Sequence, residues 1–179
     1  MNEEKQAAGG IAEKILKTRA DQLARTNHSQ KPRGKQITVL EFRLAHEIYA
    51  IELTHIRTVH PLKEKKPTHI PGTPGFIKGI INLRGEIISV VDLKHFFNLL
   101  DQDSGHSSQV IILSSKDMEF GILSDAIHGV TEFQTADIHD SLPTLAGVQL
   151  EYIKGVTANG VVILDDEKLL NDKKMIISL

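Results

Sequence analysis

The chain has 179 residues, 40% of them apolar, a net charge of −2 and no cysteine. That is enough apolar material for one domain or two small ones. The missing thiols exclude disulfides and thiolate chemistry, a pattern that fits a reducing cytoplasm. No apolar run approaches the ~18 residues needed to span a bilayer, and the start, Met1-Asn2-Glu3-Glu4-Lys5, lacks the apolar centre of a signal peptide.

Charge is unevenly placed. Residues 1–35 carry eight Lys/Arg against four Asp/Glu, and the remainder carries 13 against 19. A basic arm on an acidic body raises nucleic acid as a partner. Here the cations are interspersed with Gln, Asn and acids, and no aromatic residue stands among them to stack on a base. An ordinary solvated surface is the better reading, and no nucleic-acid partner is expected. Within the arm the spacing predicts a helix over residues 11–25, where Ile11, Ile15 and Leu16 share a face and Leu23 follows Leu16 by a heptad. Residues 26–35, with Asn, Ser, Pro and Gly, read as a linker. Residues 1–35 are thus an N-terminal extension, helical over 11–25 and otherwise expected to be disordered, and residues 36–179 the body.

From Gln36 the apolar period changes to two. Leu40, Phe42 and Leu44 alternate with Val39, Glu41 and Arg43, and after a turn near His46-Glu47 the alternation resumes through Tyr49, Ile51 and Leu53. That predicts an antiparallel hairpin with one buried face. Four of the six prolines fall in residues 61–75, which reads as a surface crossing. Two β-type runs follow in residues 76–93, joined by the polar corner Asn82-Leu83-Arg84-Gly85, and then a short helical turn.

After a second linker at residues 101–108 the pattern restarts. Val110-Ile111-Ile112-Leu113 parallels the first strand, and Phe120-Gly121-Ile122-Leu123 parallels Tyr49-Ala50-Ile51-Glu52. Tyr152-Ile153-Lys154-Gly155-Val156 repeats Phe76-Ile77-Lys78-Gly79-Ile80, and Asn159-Gly160 supplies a hairpin dipeptide. Asp92 and Asp165 each end an apolar run before a helical turn, the position of a helix cap. Gly79 and Gly155 hold equivalent places and mark a bulge or a close backbone approach. The duplication predicts a mainly β body of two small barrels of about five strands each, since closure removes unpaired edges. The first barrel is expected at about 36–100 and the second at about 108–170, with exchange of a strand between them left open.

Motifs for catalysis are missing. The nine His show no helical or clustered metal-ligand spacing, no nucleophile elbow is present, and the glycines form neither a P-loop nor a dinucleotide fingerprint. No cofactor, metal or catalytic residue is assigned. Arg84 stands in a corner between apolar runs. It reads either as a solvated turn residue or as an interface anchor with a rigid fork of donors, and composition does not separate the two.

Gly79-Ile80-Ile81-Asn82-Leu83-Arg84-Gly85, followed by Ser89-Val90-Val91-Asp92-Leu93-Lys94, resembles the signature of the chemotaxis coupling protein (CheW) family. The resemblance runs over roughly residues 36–171. It implies a pair of SH3-like five-stranded β-barrels and a non-catalytic adaptor. Such an adaptor couples the cytoplasmic tip of methyl-accepting chemoreceptors to the regulatory domain of a CheA-type histidine kinase, in the cytoplasm at membrane-associated receptor arrays and without membrane insertion. It also implies a partner-binding corner at Asn82, Leu83, Arg84 and Gly85. The chain departs from the family at two places. Thr58, after Arg57, stands where an acidic residue is common, so Arg57 and Thr58 join the partner-binding set with an altered charge. Ser89 stands where Pro is common. The alternative is a sensory module binding a small molecule in the groove between the barrels.

Overall fold

Period-two alternation becomes strand pairing from Gln36 onward. The computed structural model describes residues 34–62, 66–99, 108–139 and 150–177. The helix expected over residues 11–25 lies outside them. Eleven strands follow in chain order among the described residues: β1 (Gln36–Leu44), β2 (Glu47–Glu52), β3 (Ile56–Pro61), β4 (Ile77–Leu83), β5 (Glu86–Val91), β6 (Gln109–Ser114), β7 (Glu119–Ser124), β8 (Ala126–Gln134), β9 (Ile138–His139), β10 (Ile153–Thr157) and β11 (Val162–Leu164). Two short helices, α1 (Leu93–Phe96) and α2 (Asp166–Asn171), follow β5 and β11.

The strands form two mixed sheets, ordered β8-β1-β2-β11-β10-β9 and β3-β6-β7-β5-β4. The contiguous division into 36–100 and 108–170 does not describe them. The hairpin β1–β2 sits with the strands of the second half, and β6–β7 sits with those of the first. The reason lies in the pairings of β5 with β7 and of β11 with β2, which are parallel. A tight hairpin cannot supply a parallel neighbour, so each half takes one from the other.

Each sheet curls back on itself through one bent segment. β8 lies along β1, breaks at the 3-10 turn Thr135–Asp137, and returns as β9 beside β10, with Val156 opposite His139. That break gives six strands in one sheet where about five are expected. In the other sheet β3 lies along β6, and Thr68 beyond it exchanges two backbone hydrogen bonds with Ile80 of β4, at 2.8 and 2.9 Å. The equivalent glycines sit under these closures. A Cβ on Gly79 would lie 2.0 Å from the Thr68 carbonyl oxygen, and one on Gly155 would lie 2.5 Å from that of His139. The pairing register shifts at both places, so each is a bulge as well as a close approach. The caps are equally matched. The Asp92 carboxylate accepts the Lys94 and His95 amides, and the Asp165 carboxylate accepts that of Lys168.

The two sheets share a core. Leu40, Phe42, Tyr49, Ile51, Phe97, Ile111, Phe120 and Leu164 pack between them, while Ile81, Ile88, Val90, Val110 and Ile112 fill one sheet's curl and Ile37, Val39, Ala50 and Ile163 the other's. β1 is therefore buried on both faces at Val39 and Leu40, where the alternation predicted one. The interior of each curl is aliphatic. The rings gather in the shared core, where Phe96 meets Phe76, Phe97 and Tyr152 with centroids 5.0–5.4 Å apart.

Candidate partner-binding site

The corner at the end of β4 is a two-residue turn. Leu83 pairs with Glu86, leaving Arg84 and Gly85 at φ 55° and 96°. A two-residue hairpin loop needs positive φ at both central positions to match the twist of its strands. Gly85 adopts it freely, and Arg84 does so against the preference of an L side chain. The Asn82 side-chain oxygen accepts the Gly85 amide at 2.9 Å and fixes the turn. Leu83 packs on the aliphatic cluster of Ile81 and Ile88. Arg84 is left at the tip, exposed and without an ion pair among the described residues.

Arg57, on β3, is differently placed. Its guanidinium bridges Glu119 at 2.7 Å and Glu86 at 2.6 Å, and these two carboxylates, Glu119 foremost, push its pKa above the ordinary value. Exposed pairs of this kind contribute little stability; what they fix is position, tying β3 to the hairpin and to β7. Thr58 beside it is exposed. β3 and β4 are the two ends of their sheet, and Thr68, beyond β3 in the chain, bridges to Ile80 of β4. Residues of the two strands line an open cleft of about 360 Å³, namely Arg57, Thr58, His60, Asn82, Leu83 and Arg84. Two segments about 25 residues apart thus meet, and they include each residue the sequence proposed except Gly85. His60 is the addition. Its one available signal was its place two residues after Thr58 on the same face of a strand.

Ser89 also has a specific contact. Its hydroxyl oxygen accepts the Ile177 amide at 3.1 Å and holds the chain's last described residue against β5. A proline there would have no such acceptor.

Elsewhere two clusters of charged groups are paired for structure. Asp166 is fully buried; it is bonded to His55 and to Lys154 (2.7 Å), and Lys154 also reaches Glu52 at 2.7 Å. Burial disfavours the Lys154 charge, but its two carboxylate partners outweigh that and raise its pKa. This cluster pins the passage from β2 to β3. The passage from β7 to β8 is pinned by Asp125, which binds the Lys94 ammonium at 3.0 Å and the Ala45 amide at 2.9 Å. Among the described residues no group of three or more His, Asp or Glu could hold a metal ion, and no helix is long and apolar enough to cross a membrane.

Two curled mixed sheets sharing one core, with an exposed polar hairpin tip beside a cleft, define a scaffold built to present a surface. Comparison with known proteins makes this specific. The CheW-like domain family matches over residues 38–174. The chemotaxis protein CheW of Treponema pallidum is 29% identical over 148 residues, 79% of this chain and 86% of its own. The crystal structure of the scaffolding protein TtCheW from Thermoanaerobacter tengcongensis superposes with a TM-score of 0.62 at 30% identity, covering 73% of this chain and 89% of that one. The chemotaxis protein CheA of Borreliella burgdorferi contains a segment 31% identical over 137 residues, 72% of this chain and 14% of its own. The chain belongs to the CheW-like family and is a coupling adaptor of bacterial chemotaxis.

Proposed function

We propose that this adaptor bridges the cytoplasmic tip of a methyl-accepting chemoreceptor and the regulatory domain of a CheA-type histidine kinase. It does so in the cytoplasm, at receptor arrays. The cleft between β3 and β4 is one of its partner contacts: Arg84 is the anchor, Asn82, Leu83 and Thr58 form the walls, Arg57 holds the shape, and Gly85 permits the turn.

The observation that carries this is Arg84 itself. A cation held at positive φ, exposed and without an ion pair among the described residues, contributes nothing evident to the fold, and strained backbone concentrates where function requires it. A planar fork of donors suits carboxylates or backbone carbonyls on a partner. The chemotaxis protein CheA of Borreliella burgdorferi carries a segment similar to this chain, which supports a CheA-type partner that contains a domain of the same kind. The test is the affinity of purified Arg84→Ala for a kinase regulatory domain and for receptor fragments in a reconstituted complex. Loss of binding with an unchanged melting curve is the expected result. Unchanged affinity for both partners would return Arg84 to the role of a solvated turn residue.

A further inference from the structure

We propose that the cleft between β3 and β4 accepts an extended acidic segment of a partner protein, which pairs with the sheet through its backbone. The proposal deepens the partner reading of this cleft and rests on it. It names what enters and how.

The backbone directions carry the argument. Both the amide and the carbonyl of Ile80 bond to Thr68, so both point away from β5. Alternate residues of a strand point their backbone groups to the same side, so those of Asn82, two residues on, also point away from β5. There they face the cleft. On the opposite wall the Leu62 amide bonds to the Ser108 carbonyl, in register with the β3–β6 pairing. The same alternation turns His60 toward β6 and Val59 away from it. The Asn82 edge of β4 thus directs its backbone groups into the cleft, and the Val59 edge of β3, beside the lining residues Thr58 and His60, is likewise turned from its β6 partner. Proteins guard such edges with lysine, proline or a covering element. Pro61, turned away from β6, guards the open edge of β3, but among the described residues Asn82, at the open end of β4, has no such guard. Beyond the Thr68 contact, from Ile81 to Leu83, the open edge runs about 7 Å, room for two or three extended residues.

Charge selects the occupant. Among the described residues the lining contains Arg57, His60 and Arg84 and no carboxylate. Arg57 is already bound to Glu86 and Glu119, which leaves Arg84 to receive an acidic side chain at the mouth. Strand addition of this kind draws affinity from the main chain and selectivity from alternate side chains.

The experiment uses the isotope-labelled full chain and capped seven-residue peptides in which Val and Glu alternate, read by amide chemical shifts. Saturable shifts at Asn82 and Val59 are expected. Methylating alternate backbone nitrogens of the peptide, replacing its Glu by Lys, or using Arg84→Ala should each weaken binding about tenfold, the effect of losing about two hydrogen bonds or one charge contact. Absence of saturable shifts at both residues up to millimolar peptide overturns the proposal. So does equal binding of the methylated peptide, since side-chain attraction alone would then suffice. Kinase binding by the same variant keeps the two readings apart. If Arg84→Ala loses the kinase and no peptide binds, the strand site alone falls; if peptide binds and kinase affinity is unchanged, the partner reading alone falls.

Discussion

The hairpins β4–β5 and β10–β11 are the same device built twice, and they differ at the tip. Each begins at a bulged glycine beneath a closing segment, and each ends at a capping aspartate whose amide bonds to the carbonyl of Phe76 or Tyr152. In β10–β11 the turn closes through the Gly160 amide on the Thr157 carbonyl at 2.9 Å, the Thr157 hydroxyl accepts the Val161 amide, and positive φ falls on Gly160 rather than Asn159. In β4–β5 positive φ falls on both residues, and one of them is Arg84. Asn-Gly, the pair best suited to two positive φ values, occupies the turn that needs one. Arginine occupies the turn that needs two, at a cost of about 1 kcal/mol. The sister hairpin shows that the fold can close this junction without that strain, so what Arg84 contributes lies outside the fold.

The largest expected effect concerns what the hairpins share. Gly79→Val meets both a backbone oxygen and φ +133°, whereas Gly155→Val meets the oxygen without the positive φ. We expect Gly79→Val to lose about 4 kcal/mol and Gly155→Val a smaller amount in urea denaturation. Equal losses would remove the distinction between the two closures. Next comes the residue after each cap. Leu93 follows Asp92 and Asp166 follows Asp165, both fully buried. Asp166→Ala strands His55 and half of the Lys154 pairing, and should cost about 3 kcal/mol; a loss under 1 kcal/mol would mean that the cluster relaxes into water.

The tips come third. Arg84→Ala should weaken kinase binding by about 2 kcal/mol and shift stability by no more than ~0.5 kcal/mol. Arg84→Gly should also weaken binding while raising stability by about 0.5 kcal/mol, relief of strain exceeding the entropy of an added glycine. A stability loss in Arg84→Gly would show that the arginine serves the fold after all. The smallest effect is in acid. Burial opposes the Asp172 charge, but hydrogen bonds from the Tyr152 hydroxyl and the Lys174 amide prevail and hold its pKa below the usual 3.8. A depressed carboxylate contributes stability that is complete above its unfolded pKa and is lost as pH falls through the folded one. Tyr152→Phe should therefore flatten the acid limb of the stability profile below about pH 4, and an unchanged limb would assign that loss to other carboxylates.

What the sequence revealed follows from the range of the forces involved. Alternation, the two glycines and the two caps are local, and the strand pairs β1–β2, β4–β5, β6–β7 and β10–β11 fall where period and turn residues put them. The partner-binding residues were found through resemblance, and the cleft gathers five of the six: Arg57, Thr58, Asn82, Leu83 and Arg84. The exchange of hairpins was not legible, because parallel pairing of β5 with β7 leaves no mark in either strand. Nor was the bond between His55 and Asp166, 111 residues apart. Val39 was set on the open face because β1 alone does not show that a second curl waits behind it.

The exchange has a consequence for ancestry. A chain with one copy of the repeat would have a hairpin whose sheet lay elsewhere and a sheet missing its hairpin. It could satisfy both only in a second copy, as a two-fold dimer with swapped hairpins. Joining two such copies in one chain makes such a dimer a single molecule, whose assembly does not depend on concentration. A homodimer must carry the same tip twice. A single chain need not, and here one tip has a relaxed turn at Gly160 while the other carries Arg84 at positive φ.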